Sequence, residues 1–249
     1  MPSPLISVIT VTYNPGKNLP FTLHNIASQT WKNIECIVVD GASTDGTQTF
    51  LKNYKDFAIK YLSEPDKGIY DAMNKGLALA TGNYVIFINA GDGFYANNTL
   101  ECIFKDENSL ADIYFGNTMM IDDHGNELGL RRLQPPANLN WRSLINGLLV
   151  CHQSILVKRE IAPTYNTRLR VAADYQWVLE SLKRAATIKN TGLIVSKFLD
   201  GGFNKKHIKT SLIERFGVMC RYYGFFPSLL NHLLIGIRFF KFLRKHKRF

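Results

Sequence analysis

Residues Tyr84–Asp92, reading Y-V-I-F-I-N-A-G-D, run five strand formers into a short polar cluster that ends in a carboxylate. A buried parallel strand ending this way delivers Asn89 and Asp92 to the carboxyl edge of a sheet, where open α/β sheets bind ligands. An acid in that place can hold a divalent cation jointly with a ligand's phosphates, because Mg²⁺ accepts one or two carboxylates and keeps water elsewhere. Such an ion, Mg²⁺ or Mn²⁺, would stabilise the charge that develops on a departing diphosphate. A metal site of this kind is expected to show two acids spaced D-x-D. Here Asn89 and Gly91 take those places, so Asp92 is the one expected metal ligand, with Asn89 as a neutral hydrogen-bonding neighbour. Just upstream, Ser63–Gly82 (S-E-P-D-K-G-I-Y-D-A-M-N-K-G-L-A-L-A-T-G) reads as a polar loop followed by a helix. Within it Gly68 lets the backbone approach a ligand and Lys67 can offset phosphate charge. Asp71 has a plain structural explanation, a negative charge favoured at a helix N-terminus.

These side chains need a scaffold, and the first half of the chain supplies a legible one. Ile6–Thr12 is β-rich and turns at Asn14-Pro15-Gly16, followed by a helix over Leu19–Gln29 and a strand over Ile34–Asp40. Thr44–Tyr54 reads as a helix with Thr44 as its N-cap. A strand over Ile59–Ser63, a helix over Tyr70–Ala80 and a strand over Tyr84–Asn89 complete the alternation. Strand and helix alternating through short loops imply a parallel sheet with helices on both faces. Thr12, Tyr13 and Asn14 then close the first strand at the carboxyl edge, where an aromatic ring can lie against a nucleobase. A simple turn explains Asn14-Pro15-Gly16 equally well. Asp40 ends the second strand beside them, placed for base or ribose contacts.

Beyond Asp92 the pattern changes. Leu110–Thr118 reads as a strand, and Thr118–Asp122 and Glu127–Leu133 flank a turn at Asp123-His124-Gly125-Asn126, which predicts a hairpin. Leu139–Leu148 reads as a helix, Ser154–Lys158 as a short strand and Ile188–Leu199 as another. Ala172–Arg184 is an amphipathic helix with Tyr175, Val178, Leu179 and Leu182 on one face and Asp174 in its first turn.

Five segments occur in order and at matching separations: V-I-T-V-T-Y-N (Val8–Asn14), Ser28-Gln29-Thr30, I-V-V-D-G-A-S-T-D-G-T (Ile37–Thr47), Asp66–Gly76 and Phe87–Asp92. Together they resemble the family 2 glycosyltransferases of the GT-A fold, in particular those that build capsular and colanic acid-type exopolysaccharide, over roughly residues 5–200. The resemblance implies a Rossmann-like α/β domain over residues 1–204, with a nucleotide-sugar half (1–92) and an acceptor half (93–204). It assigns Thr12, Tyr13, Asn14, Asp40, Lys67, Gly68, Asp71, Asn89 and Asp92 to a nucleotide-sugar donor, more specifically a UDP-sugar. Asp174 then takes the place of a general base that deprotonates an acceptor hydroxyl, so that one displacement inverts the anomeric centre. His152 falls where relatives approach the acceptor, although a lone His has a structural explanation too. The chain departs from the family pattern at Gly41, where a second acid is common, at Met73, where many relatives carry Arg, and at Ala173, where a Glu often precedes the base. No Q-x-x-R-W follows Asp174, which argues against a processive synthase.

Charge is concentrated at one end. Of the 249 residues, 205–249 hold eleven Lys/Arg and one acid, while the first 204 hold nineteen of each sign. Aromatic-interleaved basic patches of the kind that line nucleic-acid grooves are missing from the neutral part, so nucleic acid is not an expected partner. Leu229–Leu243 is too short and too charged to span a bilayer. Apolar residues around most of that helix, with cations in its last turns, predict a peripheral membrane contact through residues 228–249. A C-terminal helix packed on the domain is the plainer explanation. The acceptor implied by tail and resemblance is a polyprenyl-diphosphate-linked saccharide at the cytoplasmic membrane face. Four cysteines without C-x-x-C or zinc spacing, and no secretory leader, fit that compartment. The Asn89/Gly91 departure also admits another class of function, a non-catalytic membrane- or nucleic-acid-binding protein on a degenerate GT-A domain.

Overall fold

The structure, a computed structural model, describes residues 3–105, 109–200 and 208–246, with side chains as far as residue 237. Its first half is the expected alternation. Strands β1 (Ile6–Thr12), β2 (Ile34–Asp40), β3 (Ile59–Ser63) and β4 (Tyr84–Phe87) lie parallel in the order β3-β2-β1-β4, linked through α1 (Asn18–Ala27), α2 (Thr47–Asn53) and α3 (Ile69–Leu79). Every residue of β1 and β4 is buried, as continuous apolar runs covered on both faces must be. Alternate β1 and β2 residues serve two cores. Ile9, Val11, Ile37 and Val39 meet Tyr70 and Met73 of α3, whereas Ile6, Val8, Cys36 and Val38 meet Leu19, Leu23 and Ile26 of α1. Helix α3 lies so close on β1 that a methyl group on Gly76 would sit 2.4 Å from Ile9 Cγ2.

One carboxylate fastens the amino end of this block. Glu35 accepts from Gly82 N at 2.7 Å, Lys60 Nζ at 2.8 Å and Thr81 Oγ1 at 2.9 Å, and also from Ser7 Oγ and Thr81 N. Burial alone would raise its pKa. The Lys60, Ser7 and Thr81 donors outweigh that and hold it at about 2.

The sheet continues without a break past residue 92 to nine strands, ordered β3-β2-β1-β4-β8-β6-β9-β5 with β7 paired to β6. Here β8 (Ile155–Lys158) runs antiparallel to both β4 and β6 (Ile113–Ile121), β9 (Ile188–Leu199) runs parallel to β6, and β5 (Gly93–Phe94) closes the edge. The expected hairpin is present as β6 and β7 (Glu127–Leu130). Helices α4 (Thr99–Phe104) and α5 (Ala173–Arg184) complete the two layers. Two local expectations are corrected. Helix α2 is capped at Gly46 rather than Thr44, because the Asp45 carboxylate accepts from Thr47 N (3.2 Å) and Thr47 Oγ1 (2.6 Å) and starts the helix later. Leu139–Leu148 shortens to a 3₁₀ stretch, Trp141–Asn146, capped by the Asn140 side chain.

Helices α6 (Ile208–Tyr223) and α7 (Phe225–His246) follow. Helix α6 is part of the body: Val218 and Met219 are buried in the core that holds Tyr175 and Trp177, and Tyr223 donates to the Trp141 carbonyl at 2.6 Å. Along α7 the exposed large apolar side chains are Phe225, Phe226, Leu229, Leu230, Leu233, Leu234 and Ile237, whereas Ser228 is fully buried and His232 packs on the Phe216 ring. The cation-rich end of the expected membrane segment, from Arg238 onward, lies outside the described side chains. Among the described residues no helix is long and apolar enough to cross a membrane.

Candidate active site

From β1 the chain steps to β2 and β3 on one side, and β4 lies on the other. A strand order that reverses in this way opens a crevice at the carboxyl ends of the two central strands. A cleft of about 490 Å³ sits there, and Thr12, Tyr13, Asn14, Asp66, Gly68 and Asn89 are among its lining residues. Tyr13 stands 66% exposed at its rim, an aromatic face offered to a planar group. Two buried oxygens at the cleft, Thr12 Oγ1 and Asn89 Oδ1, have no hydrogen-bond partner. Buried polar atoms in native proteins are nearly always paired, so two orphans in one cleft mark groups that a ligand would satisfy.

The β1 and β2 ends are tied into one rigid rim. Asn14 and Ala42 both adopt left-handed φ, 46° and 61°. Such φ values are costly for residues other than glycine and collect at functional sites. Asn14 is held by Thr44 N donating to its Oδ1 (2.8 Å) and by its own N–H donating to Ser43 Oγ (2.7 Å). Asp40 supports this rim from below. It is fully buried, accepts from Ser63 Oγ at 2.6 Å and from Ser43 through both N–H and hydroxyl, and is not among the cleft-lining residues. As placed, its carboxylate shapes the wall beneath the expected ligand.

The acid that reaches the cleft is Asp66. A methyl group on Gly41 would lie 2.4 Å from Asp66 Oδ2, so the glycine opens the space that Asp66 fills, and Asp66 Oδ1 accepts from Gly68 N at 2.8 Å. The sequence signal for Asp66 is Gly41, a small residue where a second acid is common. Gly68 has φ 116°, which only glycine adopts readily, and its turn sets the start of α3. Lys67 and Asp71 line a different pocket. Met73 is fully buried in the core, and Asn74 pins the distant Tyr165 backbone through bonds of 2.7 and 2.9 Å.

Behind the cleft, Asn89 Nδ2 and His152 Nε2 are 3.4 Å apart. Burial lowers the pKa of His152, and the neighbouring Asp174 charge works the other way. Burial raises the phenol pKa values of Tyr70 and Tyr165, and the same Asp174 charge raises them further. Asn89 follows β4, His152 precedes β8 and Asp174 lies in the first turn of α5; Asn89 and His152 meet, and the Asp174 charge acts on His152, Tyr70 and Tyr165. Tyr165 stacks between Tyr70 (5.4 Å) and Trp177 (5.3 Å), and Tyr70 donates to the Val171 carbonyl at 2.7 Å, which fixes the entry to α5.

Asp92 behaves differently from its expected role as the metal ligand. It is 5% exposed, with Oδ2 accepting from Gln153 Nε2 (3.0 Å) and Oδ1 from Leu199 N (3.1 Å). Burial pushes its pKa up to about 7, against the lowering effect of those donors and of Asn89. With both oxygens engaged inside the protein and no place among the cleft-lining residues, this carboxyl as placed does not fit a divalent cation in the cleft. Gly91 brings no ligand and Asn89 only an amide oxygen. Among the described residues no three His, Cys, Asp or Glu side chains cluster to hold an ion.

The pattern described as Glycosyl transferase family 2 matches residues 7–165, which takes in the cleft, Asn89 and His152. The chain belongs to this glycosyltransferase family. It is 30% identical over 235 residues to a PGL/p-HBAD biosynthesis glycosyltransferase of Mycobacterium bovis, covering 89% of this chain and 87% of the relative. Among solved structures, S. aureus TarS 1-349 in complex with UDP-GlcNAc superposes with TM-score 0.70 at 21% identity, covering 86% of this chain. The glycosyltransferase chain spans 64% of that TarS fragment. The mannosyltransferase PcManGT from Pyrobaculum calidifontis, in complex with GDP-Man and Mn²⁺, gives TM-score 0.62 at 20% identity, covering 94% of this chain and 70% of the neighbour. These likenesses establish the GT-A fold.

Proposed function

We propose that this glycosyltransferase moves a single sugar from a nucleotide diphosphate donor, a UDP-sugar, to a hydroxyl of a lipid-linked saccharide, with inversion, in cell-surface polysaccharide assembly at the cytoplasmic membrane face. The observation that carries the reading is the Asn89–His152 contact, which leads from the donor cleft to a buried imidazole on which the Asp174 charge acts. Tyr13 offers a ring for the base, and Thr12 and Asn89 offer unpaired oxygens to ribose or sugar hydroxyls. Asp174 acts as general base, taking the proton of the acceptor hydroxyl as that oxygen attacks the anomeric carbon. His152, its pKa lowered by burial, meets Asn89 at the back of the cleft and orients the acceptor. The TarS and PcManGT complexes, titled with UDP-GlcNAc and GDP-Man, support a nucleotide-sugar in the cleft. The Mn²⁺ named with PcManGT supports an accompanying divalent ion, Mg²⁺ or Mn²⁺, in the family. Asp66 is the one acid among the described residues that line the cleft, and no step above depends on the ion.

Asp174→Asn keeps size and hydrogen bonding and removes the base. Sugar transfer should fall by roughly 10²–10⁴-fold, the range typical of a lost general base, with UDP affinity unchanged. Undiminished turnover would remove Asp174 from the mechanism. Donor binding without any turnover by the native chain, across UDP-, GDP- and dTDP-sugars, would favour the non-catalytic reading.

A further inference from the structure

Next to the donor cleft lies a second pocket of about 580 Å³, and the two share only Gly68 and Ile69. Lys67, Arg168 and Arg170 line it, together with one acid, Asp71. The acid is already committed. Its carboxylate accepts from Lys67 N at 3.0 Å and lies 3.7 Å from Lys75 Nζ. The three cations are exposed, and among the described residues their charged groups make no ion pair or hydrogen bond. Unpaired cations converging on one concavity make an anion site, and two guanidinium groups suit the paired oxygens of a phosphate.

The pocket wall is anchored to α6. The Glu214 carboxylate accepts from Arg170 N (2.8 Å), Val171 N (2.8 Å) and Ala172 N (3.0 Å), which holds the arginine-bearing segment and the start of α5 in place. On the same helix, Leu212 and Ile213 are exposed, Ile213 by 74%. These two exposed apolar residues precede Glu214, the residue that holds the pocket wall. That pairing matches a ligand with a charged head and an alkyl chain.

Resting on the reading of the first cleft as the donor site, we propose that Lys67, Arg168 and Arg170 form a separate site for a diphosphate ester, that of the lipid carrying the acceptor. Lys67 thereby passes from the donor's diphosphate to the acceptor's. Gly68 and Ile69 become the partition between the two ligands, with Asp174 on the helix that the arginine segment leads into.

The test titrates geranyl diphosphate, inorganic pyrophosphate and UDP separately into the full chain, the first two after saturation with UDP. Geranyl diphosphate should bind the UDP-saturated protein, and Arg168→Ala/Arg170→Ala should weaken it at least tenfold while UDP affinity stays within twofold. Both arginines are exposed, so folding should survive. Arg168→Lys/Arg170→Lys should restore part of the binding if charge is what matters. Tighter binding of geranyl diphosphate than of pyrophosphate would identify a lipid source, and equal binding a site that reads the diphosphate alone. The proposal is overturned if geranyl diphosphate fails to bind the UDP-saturated protein, or binds the double variant equally well. It is also overturned if UDP affinity falls in parallel, which would give the pocket to the donor. Failure of the native chain to bind UDP would instead strike the donor-cleft reading, while pyrophosphate loss in the variant would still report on this pocket.

Discussion

Asp92 separates what a motif says from what a side chain does. Strand periodicity places a residue at the sheet edge, but once the strand ends it no longer says which way the side chain turns. Gly91, at φ 100°, makes that turn, and Asp92 goes inward to Gln153 and Leu199. Asp66 was hidden for the opposite reason. It becomes visible only through a contact with Gly41, 25 residues away. Asn89 and Asp174 were legible because each sits at an element's end whose position the pattern fixes. The inward placement has a testable sign. With its pKa raised to about 7, Asp92 keeps a proton in the folded state that the unfolded chain has released. Its contribution to stability is therefore full below about pH 4 and is lost as pH rises through 7. Asp92→Asn lacks that loss, so its melting temperature should gain on the native chain between pH 5 and 8, and Mn²⁺ should shift both equally. A native chain that gains on the variant as pH rises, or alone responds to Mn²⁺, would make Asp92 an ionised metal ligand.

At the scale of elements, the parallel block β3-β2-β1-β4 was legible because two-sided burial writes itself as unbroken apolar runs between short loops. β5 and α4 were not, since pieces of two and six residues carry too little periodicity to declare themselves, and the helix expected over Leu139–Leu148 shortens to the 3₁₀ stretch Trp141–Asn146. Their conformation comes from what they pack against. Glu35 shows how far the block depends on a single side chain, which joins β1, β2, β3 and the loop into β4. Held at about 2, below its ordinary value of 4.5, it stabilises the fold above the unfolded pKa, and that contribution fades as pH falls from about 5 towards 2. Glu35→Gln should lower the melting temperature at pH 7 and lie closer to the native chain at pH 3. A difference that stays constant across this range would mean that packing, and not charge, is what Glu35 supplies.

The whole molecule is asymmetric in a way that composition announced and only the structure located. Formal charge is balanced through residue 204, and the basic excess lies in 205–249. Helix α6 is anchored in the core through Val218 and Met219, and the longer run of exposed apolar side chains lies on α7. There the usual amphipathic arrangement is inverted. Phe226 (81% exposed), Leu230 (61%), Leu233 (59%) and Ile237 (52%) recur at helical spacing on the outer face, while Ser228 faces inward. Exposing such a stripe to water forgoes the gain from burying large side chains, about 1.5–3 kcal/mol for each when complete. A contiguous exposed stripe of this kind marks an interaction surface, and the apolar area together with the downstream cations gives the two signals that stable interfacial binding needs. The full chain should co-sediment with vesicles containing anionic phosphatidylglycerol and bind neutral phosphatidylcholine vesicles weakly. Replacing Phe226, Leu230 and Leu233 by Ser should release it from both without lowering its melting temperature, because none of the three is buried. If the triple variant stays on the vesicles, the apolar stripe is not the anchor. If it binds less but also melts earlier, the stripe packs on protein, most simply on a second copy of the chain, and sedimentation velocity of the native protein should then show a dimer.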